Sequence, residues 1–237
     1  NLLQNHIIPK KTVFCVGLGR SGTTFLSVFF QRPEFTNVIC RDHRWPPLYY
    51  INCLYDRKII NKEQTKKALY KYKPEIISFQ REVFLCVSHD IWAIMGVLAE
   101  VFPNSKFIFI TKDPRNVLSS ASSHPSLVQS AEGMLPWHHD SETIPPDADY
   151  PGNPVKPFEG WIDRASFTYN RVLRCYHESI CELGNRGLTV RFEDIFSKSR
   201  GFPGIKKIAH FLKDEIRIPT NDEWLNPVFQ DKINAYP

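Results

Sequence analysis

The chain has 237 residues, of which 42% are hydrophobic and 13% are aromatic. These side chains are enough for a sizeable core, which excludes an intrinsically disordered chain. The net charge of +5 suits a small anionic ligand but is too weak to indicate nucleic-acid binding, and no apolar run reaches the ~18 residues of a membrane span.

The first residues and the cysteines bear on the compartment. The start, NLLQNHIIPKK, has neither an initiator Met nor the apolar segment of a signal peptide, so we interpret it as trimmed; a targeting segment or anchor could have preceded it. Six cysteines are scattered without a C-x-x-C pair, and Cys15 and Cys86 lie in apolar runs. This pattern predicts reduced cysteines, a cytoplasmic protein and no zinc site.

Short apolar runs alternate with amphipathic segments along the chain. The runs of strand length cover residues 12–16, 35–39, 84–88, 106–110 and 188–191. Apolar residues spaced three and four positions apart predict helices over residues 23–30, 91–102, 114–122 and 162–183. The alternation predicts a single α/β domain over residues 1–237, in which helices flank a central parallel sheet.

Two segments interrupt this alternation. Residues 47–57 and 62–72 predict two helices, which form a helical insertion at about residues 46–73. Residues 124–157 contain seven prolines and almost no periodicity. Because a long irregular segment in a compact domain is often functional, we interpret this segment as a lid or substrate loop.

The stretch VFCVGLGRSGTTFL predicts a strand, a glycine-bearing loop and the start of a helix. Gly17 and Gly22 have the spacing of a P-loop, in which backbone N–H groups and a helix dipole bind phosphate. Thr23 replaces the lysine that follows the second glycine in nucleotide hydrolases, and Arg20 is the basic residue of the loop. A ligand without a γ-phosphate and without a bound metal would not need that lysine.

The run R-S-G-T-T-F-L after a strand resembles the 5′-phosphosulfate loop of the sulfotransferases that use 3′-phosphoadenosine 5′-phosphosulfate (PAPS), and its motif layout is similar to that of the soluble small-molecule members. The resemblance implies a P-loop-like sulfotransferase fold, PAPS as cofactor, 3′,5′-adenosine bisphosphate (PAP) as product, and no metal. It also implies that Arg20 faces the sulfuryl group and that Phe25 lies near the adenine. The residues implied to bind the 5′-phosphate are Ser21, Gly22, Thr23 and Thr24.

A second stretch, KFIFITKDPRNVLSS, predicts a strand, a short connection and a helix that begins at Pro114. It resembles the 3′-phosphate motif of the same family. The resemblance implies that Lys112 and Ser120 bind the 3′-phosphate, with Arg115 as an additional ligand and Ser119 as an alternative in register. The family more often has arginine at the position of Lys112, and lysine lacks the bidentate geometry of arginine. The R-K-G loop of the soluble members does not occur in this chain.

A third stretch, LTVRFEDIF, resembles the late strand of the family whose aromatic residue flanks the adenine, and this implies that role for Phe192. Each of the three motifs follows a predicted strand. Ligands of open α/β sheets bind at the carboxyl ends of the strands, so the three motifs are expected to meet there. Together they cover the chain from about residue 12 to residue 212.

Sulfuryl transfer needs a base for the acceptor proton and positive charge near the departing phosphate oxygen. His89, after the strand at 84–88, stands where the soluble sulfotransferases have their histidine base. Asp42 and His43, in the run CRDHRW, are competing candidates, because other relatives have a glutamate in that neighbourhood. Candidates for contacts with the acceptor are Arg44, Trp45 and, in the proline-rich segment, His138.

The leading prediction is a sulfotransferase that transfers the sulfuryl group of PAPS to a hydroxyl or amine of a small-molecule acceptor. One alternative is a Mg²⁺-dependent P-loop kinase, with Asp90 and Thr24 at the metal. Another is a carbohydrate or protein sulfotransferase whose base lies in residues 40–45, and a third is a nucleotide-binding module without catalysis. The identity of the acceptor and the oligomeric state stay open at this point.

Overall fold

The computed structural model describes residues 11–17, 21–41, 46–56, 58–77, 82–89, 91–122, 161–197 and 202–219. The strands are β1 (Lys11–Gly17), β2 (Val38–Arg41), β3 (Val83–Ser88), β4 (Lys106–Thr111) and β5 (Gly187–Arg191). All pairings are parallel, and the strand order is β2-β3-β1-β4-β5. The predicted α/β fold with a central parallel sheet is therefore confirmed.

The predicted helices are present in their predicted order. They are α1 (Thr23–Phe30), α2 (Pro46–Asp56), α3 (Lys62–Ile77), α4 (Met95–Val101), α5 (Pro114–Ser122), α6 (Trp161–Leu183), α7 (Phe192–Ile195) and α8 (Pro203–Phe211), with a 3-10 turn, Gly184–Arg186, between α6 and β5. Two further helices, α7 and α8, were not predicted. The bounds of α1 and α5 are those predicted. The two helices of the insertion are also present, as α2 and α3, but α3 continues to Ile77, beyond its predicted end at residue 72.

The sheet is the middle layer of three, because its central strand is buried on both faces. Phe14 and Val16 of β1 pack into the cluster formed with α2, α3, α4 and α6. Val13 and Cys15, which point to the other face, pack with α1, α7 and α8. A strand buried on both faces needs a continuous apolar run, and this accounts for the composition of β1.

Two element starts were predicted wrongly. β2 begins at Val38, not at residue 35, because Phe35 belongs to a hydrogen-bonded turn in which its N–H donates to Arg32 and its carbonyl accepts from Val38. α4 begins at Met95, not at residue 91, because the N–H of Ala93 donates to Asn52 Oδ1 of α2 at 2.8 Å. In both places buried apolar residues precede the element, so they extend the apolar spacing that predicts a strand or a helix.

Helix α8 was missed by the sequence analysis, although it carries a recognisable signal. Pro203 occupies its first position, which proline favours. Ile205, Ile208 and Leu212 follow at helical spacing, and all three are buried against the sheet. Tertiary burial of this apolar stripe accounts for the helix.

The six cysteines form no disulfide, and Cys15 and Cys86 are buried as predicted. Among the described residues, no helix combines the length and apolar character that crossing a membrane requires. The same residues contain no group of three or more His, Cys, Asp or Glu side chains placed to hold a metal ion.

Candidate functional site at the carboxyl edge of the sheet

The strand register brings the predicted motifs to one edge. Val16 of β1 pairs with Ser88 of β3, and Gly17 pairs with Ile110 of β4. Thr111 of β4 in turn pairs with Arg191 of β5. The described residues that follow these strands therefore lie in the order His89, Gly22, Lys112 and Phe192 along this edge.

Ser21 and Thr23 lie close to Gly17, the last residue of β1. A Cβ atom on Gly17 would lie 2.2 Å from Ser21 Oγ and 2.9 Å from Thr23 Cγ2, so any other residue there would displace these two side chains. Ser21 and Thr23 are buried, whereas Thr24 is exposed. The first turn of α1 carries no acidic residue, and its N-terminal dipole therefore favours an anion.

Gly22 is the point where the first and third motifs touch. Its φ of 88° is in the left-handed region, and a Cβ atom there would lie 2.9 Å from Phe192 Cε2. The ring of Phe196 has its centroid 4.5 Å from that of Phe192 and 4.5 Å from that of Phe25. We call Phe25, Phe192 and Phe196 the aromatic cluster; it joins the first turn of α1 to α7.

Lys112 brings the second motif to the same place. The side chain is buried, and its Nζ lies 4.3 Å from the centroid of the Phe192 ring. A cation at this distance from an aromatic face is attracted by the negative charge of the ring face. The Phe192 ring thus lies next to both Gly22 and Lys112, although the three residues are far apart in the sequence.

Two side chains hold the backbone next to Lys112. Tyr169 Oη of α6 donates a hydrogen bond to the Lys112 carbonyl at 2.6 Å, and the Asp113 N–H donates to Glu193 Oε1 at 2.9 Å. Burial raises the pKa of Tyr169, as do the negative charges of Asp113 and Glu193. The phenol is therefore protonated at neutral pH and acts as a donor.

Asp113 caps α5 and binds Arg115. Its Oδ1 accepts a hydrogen bond from the Arg115 N–H at 2.9 Å, and Arg115 Nη2 lies 2.8 Å from Oδ2. The hydrogen bonds from the Arg115 side chain and backbone lower the Asp113 pKa to about 2. A contact of Arg115 with the 3′-phosphate stays a prediction, and it would require this side chain to leave Asp113.

The half-buried Ser120 lies on the face of α5 that is turned toward α7. It is four residues after Asn116, whose Nδ2 lies 3.5 Å from Glu193 Oε1, and residues four apart share a helix face. Ser119 is exposed and lies on a different face. The role of either serine at the 3′-phosphate stays a prediction.

His89 is half-buried at the end of β3, beside the end of β1. The other predicted residues of the site lie outside the described residues, and their roles stay predictions. These residues are Arg20, Asp42, His43, Arg44, Trp45, Asp90 and His138, the last in the 124–157 segment.

Sequence reasoning missed Tyr169, Glu193 and Phe196. Phe196 follows Phe192 by four residues in a helical turn, and this spacing could have revealed that the two rings meet. Glu193 directly follows the predicted residue Phe192, but nothing in the sequence indicates that its side chain bonds to Asp113. Tyr169 lies 57 residues from Lys112, and no local pattern connects them.

No protein-family model and no curated protein matches this sequence. Among solved structures, a sulfotransferase from Alicyclobacillus acidocaldarius is 13% identical with a TM-score of 0.50, covering 85% of this chain and 80% of that one. A mouse sulfotransferase complexed with PAP is 13% identical with a TM-score of 0.45, covering 92% and 62%. Shikimate kinase from Bacteroides thetaiotaomicron is 12% identical with a TM-score of 0.42, covering 85% and 98%.

At 13% identity, the likeness to the bacterial sulfotransferase shows a shared fold and nothing about activity. The TM-scores of the other two structures are too low to support a conclusion about this chain. The chain therefore shares with the bacterial sulfotransferase an α/β fold in which helices flank a central parallel sheet. Its activity has to be argued from the residues at the carboxyl edge.

The contact between Gly22 and Phe192 predicts a specific stability difference. Gly22→Ala should lose about 1–2 kcal/mol through the left-handed backbone and about 1–3 kcal/mol more by displacing the Phe192 ring. Gly184→Ala is the matched control, because Gly184 also has a positive φ, of 54°, but nothing lies within 4 Å of its Cβ position. Urea unfolding measures both losses, and equal losses would contradict the close contact.

The low pKa of Asp113 predicts an acid-dependent stability. Because this pKa is below that of the unfolded chain, the stabilisation by the Asp113 carboxylate is complete above about pH 5 and is lost as the pH falls through about 4 toward 2. Asp113→Asn keeps a capping oxygen but does not titrate. Urea unfolding should show the wild type losing stability relative to this variant between about pH 5 and 2. If the difference in free energy of unfolding between the two proteins stays constant or grows in favour of the wild type, the Asp113 carboxylate is not the source of the acid dependence.

Proposed function

We propose that this protein is a sulfotransferase that transfers the sulfuryl group of PAPS to a hydroxyl or amine of a small-molecule acceptor. The observation that carries the proposal is the meeting of Gly22, Lys112 and Phe192 at the N-terminus of α1. Each belongs to a different motif that resembles the PAPS-dependent family. The order β1-β4-β5 already puts these three strand ends side by side, and the proposal rests on the close contacts that the three positions make there.

The described residues fit the parts of the donor. The N-terminus of α1, with the hydroxyls of Thr23 and Thr24, suits the single 5′-phosphate, since no side-chain carboxylate competes in that turn. The ammonium group of Lys112 suits the 3′-phosphate. The aromatic cluster offers a stacking surface for the adenine.

The bound donor would supply a sulfuryl group activated by its anhydride link to the 5′-phosphate. His89 would take the acceptor proton, since an imidazole titrates near neutral pH and this residue follows the strand next to β1. Arg20, which follows β1 in the sequence, would stabilise negative charge on the departing phosphate oxygen. Asp42 and His43, which follow β2 in the sequence, are the competing candidates for this base.

A P-loop kinase is the main rival. The fold alone does not separate the two activities, but Thr23 occupies the position where phosphoryl transfer to or from ATP uses a lysine. Calorimetry with PAP and with Mg-ATP distinguishes them, because a sulfotransferase binds PAP without Mg²⁺. Turnover of labelled PAPS on a panel of small hydroxyl and amine acceptors then separates an enzyme from a binding module.

The assignment of Lys112 predicts a selective loss of binding. Lys112→Ala should weaken PAP about 10- to 100-fold, the range for a hydrogen bond to a charged group, and leave adenosine 5′-phosphate unchanged. Lys106→Ala is the matched control, because Lys106 lies at the opposite end of β4 with its Nζ 4.7 Å from the Phe211 ring centroid. Equal weakening of both nucleotides by Lys112→Ala, measured by calorimetry, would remove Lys112 from the 3′-phosphate site.

The assignment of His89 predicts a loss of turnover without a loss of binding. His89→Ala should reduce turnover of labelled PAPS about 10²- to 10⁴-fold, the usual contribution of a general base, and keep PAP affinity within about twofold. His177→Ala, at an exposed position of α6, serves as the control. If Asp42→Asn or His43→Ala abolishes turnover and His89→Ala does not, the base lies in residues 40–45.

A further inference from the structure

The peptide bond between Lys112 and Asp113 is hydrogen-bonded at both of its ends. Its carbonyl accepts from Tyr169 Oη at 2.6 Å, and its N–H donates to Glu193 Oε1 at 2.9 Å. The carbonyl and the N–H belong to one planar unit, so two bonds from opposite ends restrict rotation of the whole plane. This restriction fixes the backbone from which the Lys112 side chain extends.

The two partners of this peptide are themselves held in place. The Tyr169 ring packs against Val117 of α5, so the phenol is anchored on the helix that follows Lys112. Glu193 directly follows Phe192, whose ring lies 4.3 Å from Lys112 Nζ. The start of α7 therefore contacts Lys112 twice, at the neighbouring peptide through Glu193 and at the ammonium group through Phe192.

A lysine needs this support more than an arginine would. Its ammonium group is a point charge on a flexible stem, without the planar fork that orients arginine on a phosphate. Fixing the backbone and placing a ring beside the ammonium group both reduce the positions that the charge can occupy. Arg191 Nε lies 3.7 Å from Glu193 Oε2, and it offsets the negative charge that Glu193 brings near the site.

We propose that Tyr169 and Glu193 are positioning residues that hold the Lys112–Asp113 peptide and thereby make the site selective for nucleotides that carry a 3′-phosphate. The inference rests on the proposed function, which assigns the 3′-phosphate to Lys112. Neither residue touches the nucleotide itself. Their effect is confined to the part of the affinity that the 3′-phosphate contributes.

The test compares two hydroxyl deletions on the same helix. Tyr169→Phe removes the bond to the Lys112 carbonyl, whereas Tyr176→Phe removes a buried hydroxyl that has no hydrogen-bond partner among the described residues. Tyr176 is two turns further along α6, about 10 Å away. Calorimetry on the full chain measures the affinities for PAP and for adenosine 5′-phosphate, and their ratio reports selectivity for the 3′-phosphate.

Tyr169→Phe should lower this ratio about fivefold, the effect of one net hydrogen bond, with no change for adenosine 5′-phosphate. Tyr176→Phe should leave the ratio as in the wild type. Glu193→Ala should lower the ratio to a similar extent. The double variant Tyr169→Phe/Glu193→Ala should lower it by less than the product of the single effects, because both bonds act on one peptide.

The outcomes separate this inference from the proposed function. A wild type that binds PAP no better than adenosine 5′-phosphate would overturn the proposed function, and the selectivity role would fall with it. A wild type that prefers PAP, together with an unchanged ratio in Tyr169→Phe, would overturn the positioning role alone. Equal weakening of both nucleotides in Tyr169→Phe, or multiplicative single effects, would also overturn it, because these results indicate a general structural effect or independent action.

Discussion

The close approach of the Phe192 ring to Gly22, which leaves no room for a Cβ atom there, is the constraint on which the carboxyl edge depends. A side chain at position 22 would occupy the space of that ring. Because Phe192 lies there, Lys112 has an aromatic face for its ammonium group, and Glu193 is within reach of the Asp113 N–H. One missing Cβ atom thus allows three strand ends to form a single site.

The opposite edge of the sheet is held by the segment that follows α8. Lys106 Nζ donates to the Phe211 carbonyl at 2.6 Å and to Glu215 Oε2 at 2.8 Å. Asn37 Nδ2 donates to the Glu215 carbonyl at 2.9 Å, so the segment after α8 is bound to the starts of two strands. In a parallel sheet the loops at the carboxyl ends are free to vary on this rigid support.

Local signals account for the elements that were predicted accurately. Gly22 and Pro114 mark the starts of α1 and α5, and both helices have their predicted bounds. The starts of β2 and α4 were wrong because Phe35 and Ile91 are buried although they belong to neither a strand nor a helix. Burial gives a turn residue the same apolar character as a strand or helix residue, and a sequence pattern alone does not distinguish them.

The sequence by itself determined the α/β class, the three motifs and the expectation that Gly22, Lys112 and Phe192 share one edge. These follow from local spacing and from the rule that parallel strands have their carboxyl ends on the same side. Only the tertiary structure decided that Phe192 packs on Gly22 and that Tyr169 and Glu193 hold one peptide between them. These contacts depend on how α6 and α7 pack beside β4. The periodicity of a single segment carries no information about that packing.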